Sequence, residues 1–465
     1  MSAEASVVDR LTSLLGAGAV RTGAGDLAAT SHDTWPLATK WARAGRHPHQ
    51  ADVLVRVTSA EEIAGVLALA TEAGVPVTVR ALASSVTGQP LPVRGGIVLD
   101  VTGLPATWEV DERDLTVTAS ASVNGGELED ALAARGLTLG HSPQSLYRST
   151  VGGWLATLAT GQFSSFYGGI EDLVTGFTAV LATGETVDLG ASPRAAMGPD
   201  LRQVFLGSEG TLGVITSVTL KVFPVAQTQL VRTYAMPSVA AGLAFMREQA
   251  ALGLRPFLVR FYDTDEARHA MADPSFGSPV LFTGSRGVDR MARAEAETLH
   301  ELALRHGGTD LGPAGAEGWL GRRFDFSAVE RRLATEGGYA ETIEVAHLWS
   351  GIEALHTALK EALAPYADEV LAHFSHVYTQ GTSMYLILFG QAPTDAEAIA
   401  RLESIWATAM DVCLRHGAEL SHHHGGGLAR SPYTRRSLGS GHLVLRKLKA
   451  ALDPADILNP GKLGL

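Results

Sequence analysis

The chain reads as an α+β protein built from two sheet-and-helix regions, and three observations carry that reading. VLVRVTSAEEIAGVLALATEAGVPVTVRA (53–81) runs strand, helix, strand. Between residues 95 and 224, short apolar or alternating segments suited to strands outnumber helical ones. After Pro224 the texture changes to strands interleaved with long helical stretches.

Each element has a local reason. Ser59 and Glu62 form a capping box for the first clear helix, Gly74 stops it, and Pro76 follows. GGIVLDV (95–101) is an apolar strand, and LTVTASA (115–121) alternates with the strand period. GGELEDALAARG (125–136) is a short helix with glycines at both ends. LVTGFTAVLATGETVDL (173–189) is a hairpin turning at Ala182 to Glu185, and GTLGVITSVTLKVFP (210–224) is a strand pair or one long strand. Beyond it, TQLVRTYAM, PSVAAGLAFMREQAALG and RPFLVRFYD read strand, helix, strand. Helices follow at 288–306 and 351–367, strands at 369–378 and 383–390, and a helix at 394–416. The last 25 residues (441–465) are a helix and an extended tail.

Composition narrows the function classes. The 465 residues are long enough for two or three domains with real cores. A formal charge of −12 argues against a nucleic-acid or anionic-membrane partner, each of which needs a basic face. No run of eighteen apolar residues exists, so no membrane span is expected. The N-terminus has no signal-peptide core, and one cysteine, Cys413, rules out a disulfide within the chain. A cytoplasmic, reducing setting is the expectation, with Cys413 buried on its helix.

Three stretches carry chemistry. STVGGWLATLATGQFSSFYGGIEDLV (149–174) and LGSEGTLGVIT (206–216) are glycine-rich loops of the kind that bring backbone N–H groups close to a ligand, often a phosphate. SHHHGGG (421–427) lies too far from the C-terminus to be a tag. It reads as a metal site, a proton-handling site, or a strand end with a turn.

VGGWLAT, GSEGTLGVIT and LDPADILNPGKL together resemble the flavoproteins of the vanillyl-alcohol oxidase / p-cresol methylhydroxylase superfamily over residues 45–465. STVGGWLAT, YGGIEDLV, GPD (198–200) and SHHHG are similar to its alkyldihydroxyacetonephosphate synthase (alkylglycerone phosphate synthase) branch. The resemblance implies a split FAD-binding domain of the vanillyl-alcohol oxidase type, with an α+β cap (substrate) domain over the flavin. The implied segments are 1–44, N-terminal; 45–224, FAD-binding; 225–430, cap; and 431–465, returning to the FAD domain. It implies FAD contacts at Gln144, Ser145, Ser149, Thr150, Gly152 and Gly153, at Thr157 and Thr160, and at Glu209, Gly210, Gly213, Val214 and Ile215. The family's first pyrophosphate loop, glycine-rich elsewhere, falls on Arg80, Ala81, Leu82, Ala83, Ser84 and Ser85. Leu82 stands where a glycine would, and crowds the phosphate or forces a different loop path unless the loop tolerates Ala and Leu at negative φ. Ser84 and Ser85 keep hydroxyl donors. The family's attachment histidine is missing from this loop, which implies non-covalent FAD.

The resemblance also implies catalytic roles. Tyr385 and the triplet His422, His423 and His424 correspond to the synthase's proton donors and acceptors. Arg260 corresponds to an arginine needed for activity, and pairs with an anionic substrate or orients the cap unless it forms only a surface salt bridge. The synthase's substrate-binding arginine falls on His373, a poorer phosphate partner, with Phe374, Tyr378 and Met384 nearby as an apolar pocket or as core. Trp35 and Trp41 pack or cover the pocket. The superfamily's metal-dependent 2-hydroxyacid dehydrogenases carry a His-GDGN-His segment and then Glu-His-Gly. Here His376 is kept, GDGN is absent, and His423 replaces the glutamate. Successive strand residues point to opposite faces, so the triplet does not converge on an ion and no metal is expected.

The expected function is oxidation of a small organic substrate by hydride transfer to flavin, in an oxidase or dehydrogenase, with a homodimer implied by the cap. The alternatives are the ether-forming synthase reaction without net redox, or a non-redox protein that has lost its flavin.

Overall fold

Residues 6–465 are described in the computed structural model; residues 1–5 of the implied N-terminal segment lie outside them. Strands Val53–Arg56, Ile97–Asp100 and Val77–Arg80 run parallel, with the short strand Val20–Arg21 antiparallel at one edge. The helix Ala60–Ala73 makes the crossover, and Gly74 ends it at φ 64. Its cap differs from the predicted box by one residue. Ser59 accepts from the Glu62 N–H, but the Glu62 carboxylate reaches past Ser59 to the Thr58 N–H at 2.6 Å.

A second, antiparallel sheet orders Trp108–Asp111, Thr116–Ser120, Val214–Lys221, Val174–Val180 and Thr186–Leu189. The segment 210–224 is therefore one long strand followed by the two-residue strand Phe223–Pro224. Each sheet packs on its own apolar cluster.

The C-terminal half holds a seven-stranded antiparallel sheet whose central strands are Leu258–Tyr262, Glu369–Val377 and Gly381–Gln391, with Gly338–Leu348 at one edge. Helices Val239–Ala251, Ile352–Leu363 and Asp395–His416 bury their apolar faces with it in the largest core. Phe374, Met384 and Cys413 belong to that core. The edge strand Gly338–Leu348 has no counterpart among the expected elements. Its GYAETIEVAHL pattern hides two glutamates, Glu341 and Glu344, both fully buried.

Two chain segments tie the halves together. Trp35 stacks edge-on against Trp406 of the helix Asp395–His416, and the buried Lys40 meets Asp395 at 2.7 Å. At the other end, the tail after helix Gly441–Leu452 returns to the first sheet, where the Val77 N–H donates to the Ile457 carbonyl. A cut at residue 430 would fall inside the helix Gly427–Leu438. Among the described residues, no helix is long and apolar enough to cross a membrane.

Candidate active site

A cavity of about 1130 Å³ opens between the two halves. The residues predicted to hold a cofactor all line it, except Arg80. Arg80 turns away, toward the carbonyls of Ala29 and Thr30.

In the ALASS loop Leu82 keeps a negative φ, but Ala83 does not. Ala83 lies at φ 52, the left-handed conformation a glycine would favour, while Leu82 is 47% exposed. A buried acid of the N-terminal segment fixes the loop. Asp33 accepts from the Ser85 hydroxyl (2.8 Å) and from the Gly88 and Trp35 N–H groups. Burial raises its pKa above the ordinary value. The Ser85 hydroxyl is therefore not free for a phosphate. The backbone N–H groups of Leu82 to Val86, however, donate to no protein acceptor, so the wall offers the donors an anionic pyrophosphate needs.

Gly152 and Gly153 act differently from expectation. Their N–H groups are spent on the Ala121 carbonyl (2.9 Å) and the Thr150 hydroxyl (3.2 Å). A Cβ at Gly152 would come within 2.6 Å of the Ala121 Cβ, so this glycine permits close packing rather than N–H donation. Glu209 is also re-read. Its carboxylate accepts from the Gly426 and Gly427 N–H groups, with Gln89 Nε2 at 3.3 Å, and burial raises its pKa. It is a strut from the FAD half to the histidine segment. The open N–H row, the cavity's size and its small-residue loops fit FAD.

The histidine triplet is not in a strand. Residues 421–426 form an irregular bend around Glu344, whose carboxylate accepts the N–H groups of His422, His423 (3.2 Å) and His424 (2.9 Å), the Ser421 hydroxyl (2.7 Å) and Arg430 Nη2 (3.1 Å). Successive N–H groups wrapped on one anion make a nest. Burial alone would raise the Glu344 pKa. The Arg430 guanidinium and the three histidines together outweigh it, so the carboxyl stays well below its ordinary range. On the far side, Gln89 Nε2 holds the His424 carbonyl at 2.6 Å. Gly425 (φ 82) and Gly427 (φ 52) turn the chain where a side chain would be strained, and a Cβ on Gly427 would strike the Thr87 carbonyl.

This bend overturns the alternation argument. The rings cluster instead of pointing apart. His376, His422 and His423 hold ring nitrogens within 4.8 Å of one another. Three bonds engage four of the six ring nitrogens: His376 Nδ1 to the Ser164 hydroxyl (2.7 Å), His422 Nδ1 to His423 Nδ1 (2.9 Å), and His422 Nε2 to the Tyr378 hydroxyl (2.7 Å), while the Nε2 atoms of His376 and His423 have no protein partner. His376 itself sits at φ 53 on a β-bulge between Ser375 and Val377, strain of a kind that gathers at functional sites.

Of the predicted catalytic groups, Tyr385, His423, His424 and Arg260 line the cavity together with His373, but His422 and Tyr378 do not. Tyr378 is thus not a substrate contact; it stands behind the site against His422. Tyr385 stacks on His373 at 4.9 Å, its direct cross-strand partner, and meets His424 edge-on at 5.3 Å. Burial raises the Tyr385 pKa and lowers those of His423 and His424 to about 3 and about 4. The tyrosine keeps its proton and the imidazoles are neutral, so the site holds a donor beside acceptors.

Arg260 is not in a surface salt bridge. It donates to the Tyr262 hydroxyl (2.7 Å) and to His373 Nε2 (2.6 Å), and lies against the Trp319 ring. Because Arg260 donates to Nε2, the neutral His373 ring carries its hydrogen on Nδ1, which sits 2.8 Å from Glu266. Both nitrogens of His373 are therefore engaged, and neither is left for a substrate phosphate. Burial pushes Glu266 up to about 8. Glu344, Glu266 and Asp33 were missed from sequence. Their one signal is acidic residues within apolar stretches, which must find partners when buried.

Residues 51–190 match a family described as FAD binding domain, and residues 226–463 match FAD linked oxidases, C-terminal domain. The chain is 28% identical to an alkyldihydroxyacetonephosphate synthase of Dictyostelium discoideum, covering 90% of this chain and 74% of that one. It is 32% identical to an uncharacterized FAD-linked oxidoreductase, YgcU, of Escherichia coli O157:H7, covering 79% of each. The structure of p-cresol methylhydroxylase with substrate bound superposes with a TM-score of 0.79 over 99% of this chain and 96% of that one, at 16% identity. FAD is the cofactor, and the chain is an enzyme of the FAD-linked oxidase family, with the vanillyl-alcohol oxidase / p-cresol methylhydroxylase fold.

Proposed function

We propose that this enzyme oxidises a small organic substrate bearing an anionic group, as an oxidase or dehydrogenase. The convergence of Arg260, Tyr385, His423 and His424 on the wall of the cavity that holds the FAD loops carries this reading. Bound FAD supplies the hydride acceptor. The chain supplies the rest. The Arg260 guanidinium, held by Tyr262 and His373, pairs with the substrate anion. A neutral histidine, His423 or His424, takes the proton from the carbon-bound hydroxyl or amine, and Tyr385 donates a hydrogen bond to it. The ALASS loop has no histidine, cysteine or tyrosine, which supports a non-covalent flavin.

A second reading is the ether-forming reaction of the synthase relatives, without net redox. The clustering of Tyr385 with the triplet favours it, and the engaged nitrogens of His373 count against it. Arg260→Lys separates a binding role from a packing one. Lysine keeps the charge but loses the fork that spans Tyr262 and His373. The expected result is an activity on the order of ten- to a hundredfold lower, with an unchanged melting temperature. Full activity in the variant would remove Arg260 from the site.

A further inference from the structure

We propose that His423, His422 and Tyr378 form a proton relay between the cavity and the protein surface. It rests on the oxidoreductase reading, because such chemistry must move protons through the site. His423 lines the cavity, and its Nε2 has no partner in the protein. Its Nδ1 lies 2.9 Å from His422 Nδ1, in partly buried surroundings. His422 Nε2 lies 2.7 Å from the Tyr378 hydroxyl, and this last hydrogen bond is at the surface, on a residue 37% exposed. The path therefore runs from inside to outside in two ordinary hydrogen bonds.

The surroundings hold the path in place. Glu344 fixes the backbone N–H groups of both histidines. His376 packs on His422 at 4.8 Å and on His423 at 5.0 Å, its own ring tied to Ser164. The charged groups facing the relay are Glu344 behind the two rings, with Arg430 beyond it, and Glu171 and Asp172 near Tyr378. A purely structural trio would need no exposed end and no free nitrogen on the cavity.

The step balances without electrons. His423 Nε2 takes a proton released in the cavity, and the Nδ1 hydrogen of His423 moves to His422 Nδ1. The Nε2 hydrogen of His422 then moves to the Tyr378 oxygen, whose own hydrogen leaves to water. One proton has left the cavity and all three groups are neutral again, with the two imidazole tautomers inverted. Delivery of one proton inward, as when dioxygen takes two electrons and two protons to become hydrogen peroxide, runs the same path backward and restores them.

The test uses the FAD-loaded enzyme, photoreduced without air with EDTA as the electron donor and then mixed with dioxygen in H2O and D2O. The donor replaces the substrate, so the outcome is independent of which substrate the enzyme takes. Tyr378→Phe is expected to slow recolouring on the order of tenfold or more, with a larger solvent isotope effect, and added imidazole restores the rate. In parallel, nitrogen NMR of the 15N-histidine-labelled, FAD-loaded protein should show His422 protonated at Nε2, and Tyr378→Phe should shift that signal at an unchanged melting temperature. Wild-type recolouring in the variant, slowing that imidazole does not relieve, or a His422 signal unchanged in Tyr378→Phe would each overturn the relay.

Discussion

Ala83 holds a left-handed backbone, at φ 52, that its Cβ disfavours by roughly 1–2 kcal/mol. Ala83→Gly removes that strain while adding roughly 0.5–1 kcal/mol of chain entropy to the unfolded state. The expected net result is a slightly higher melting temperature of the flavin-free protein and tighter FAD binding; a fall in both would mean that the loop is not strained. At Glu344, one carboxylate gathers the backbone of three histidines and the guanidinium of Arg430. Glu344→Gln leaves Arg430 buried beside a neutral amide, and should cost about 3 kcal/mol in urea unfolding and lower activity together. An unchanged unfolding midpoint would contradict the nest. Tyr385, His423 and His424 were named from the resemblance to the synthase branch, and they do line one cavity. Glu344 was not named, because its partners are backbone N–H groups some eighty residues away, and a lone acid in a strand does not announce them.

The elements that were legible are those whose own pattern decides them. The hairpin at 173–189 and the helix Asp395–His416 follow from periodicity and end signals. Elements set by distant partners were not. The strand Gly338–Leu348, with its two buried glutamates, was not expected, and the alternation argument placed the triplet on a strand although Glu344 pulls it into a bend. Glu209 does the same from the other side, as the link between the 206–213 turn and Gly426–Gly427. Glu209→Ala leaves those two N–H groups without a partner, at about 1–3 kcal/mol each. The expected outcome is a lower melting temperature and faster loss of FAD on dialysis. Retention of both properties would show that the segment holds its place without the strut.

Across the whole molecule, the site exists only where the halves meet, so no single stretch of sequence contains it. The loops and motif residues were legible one by one. Their convergence was not, because it depends on the clasp of Lys40 with Asp395 and on the returning tail. The same burial makes the site sensitive to acid. His422 and His423 are lowered to about 3, so between pH 6.5 and 3 the unfolded chain takes up protons that the folded protein refuses. Their contribution to stability is complete above pH 6.5 and falls as the pH drops, by up to about 1.4 kcal/mol per pH unit for each histidine. His422→Gln and His423→Gln should each flatten the acid limb of stability against pH relative to wild type. A limb unchanged in both would mean that these rings are protonated in the native state.

The central claim is that the cavity joins FAD to a cap-borne acid–base site and oxidises an anionic small molecule there. It is tested most directly by mixing the FAD-loaded enzyme, without air, with a panel of small 2-hydroxy acids and phosphorylated alcohols while following the visible flavin band. Bleaching by at least one member, abolished in Arg260→Ala, is the predicted result. An undiminished flavin band with every member, together with ether product from an acyl dihydroxyacetone phosphate and a fatty alcohol, would contradict it and establish the non-redox reaction instead.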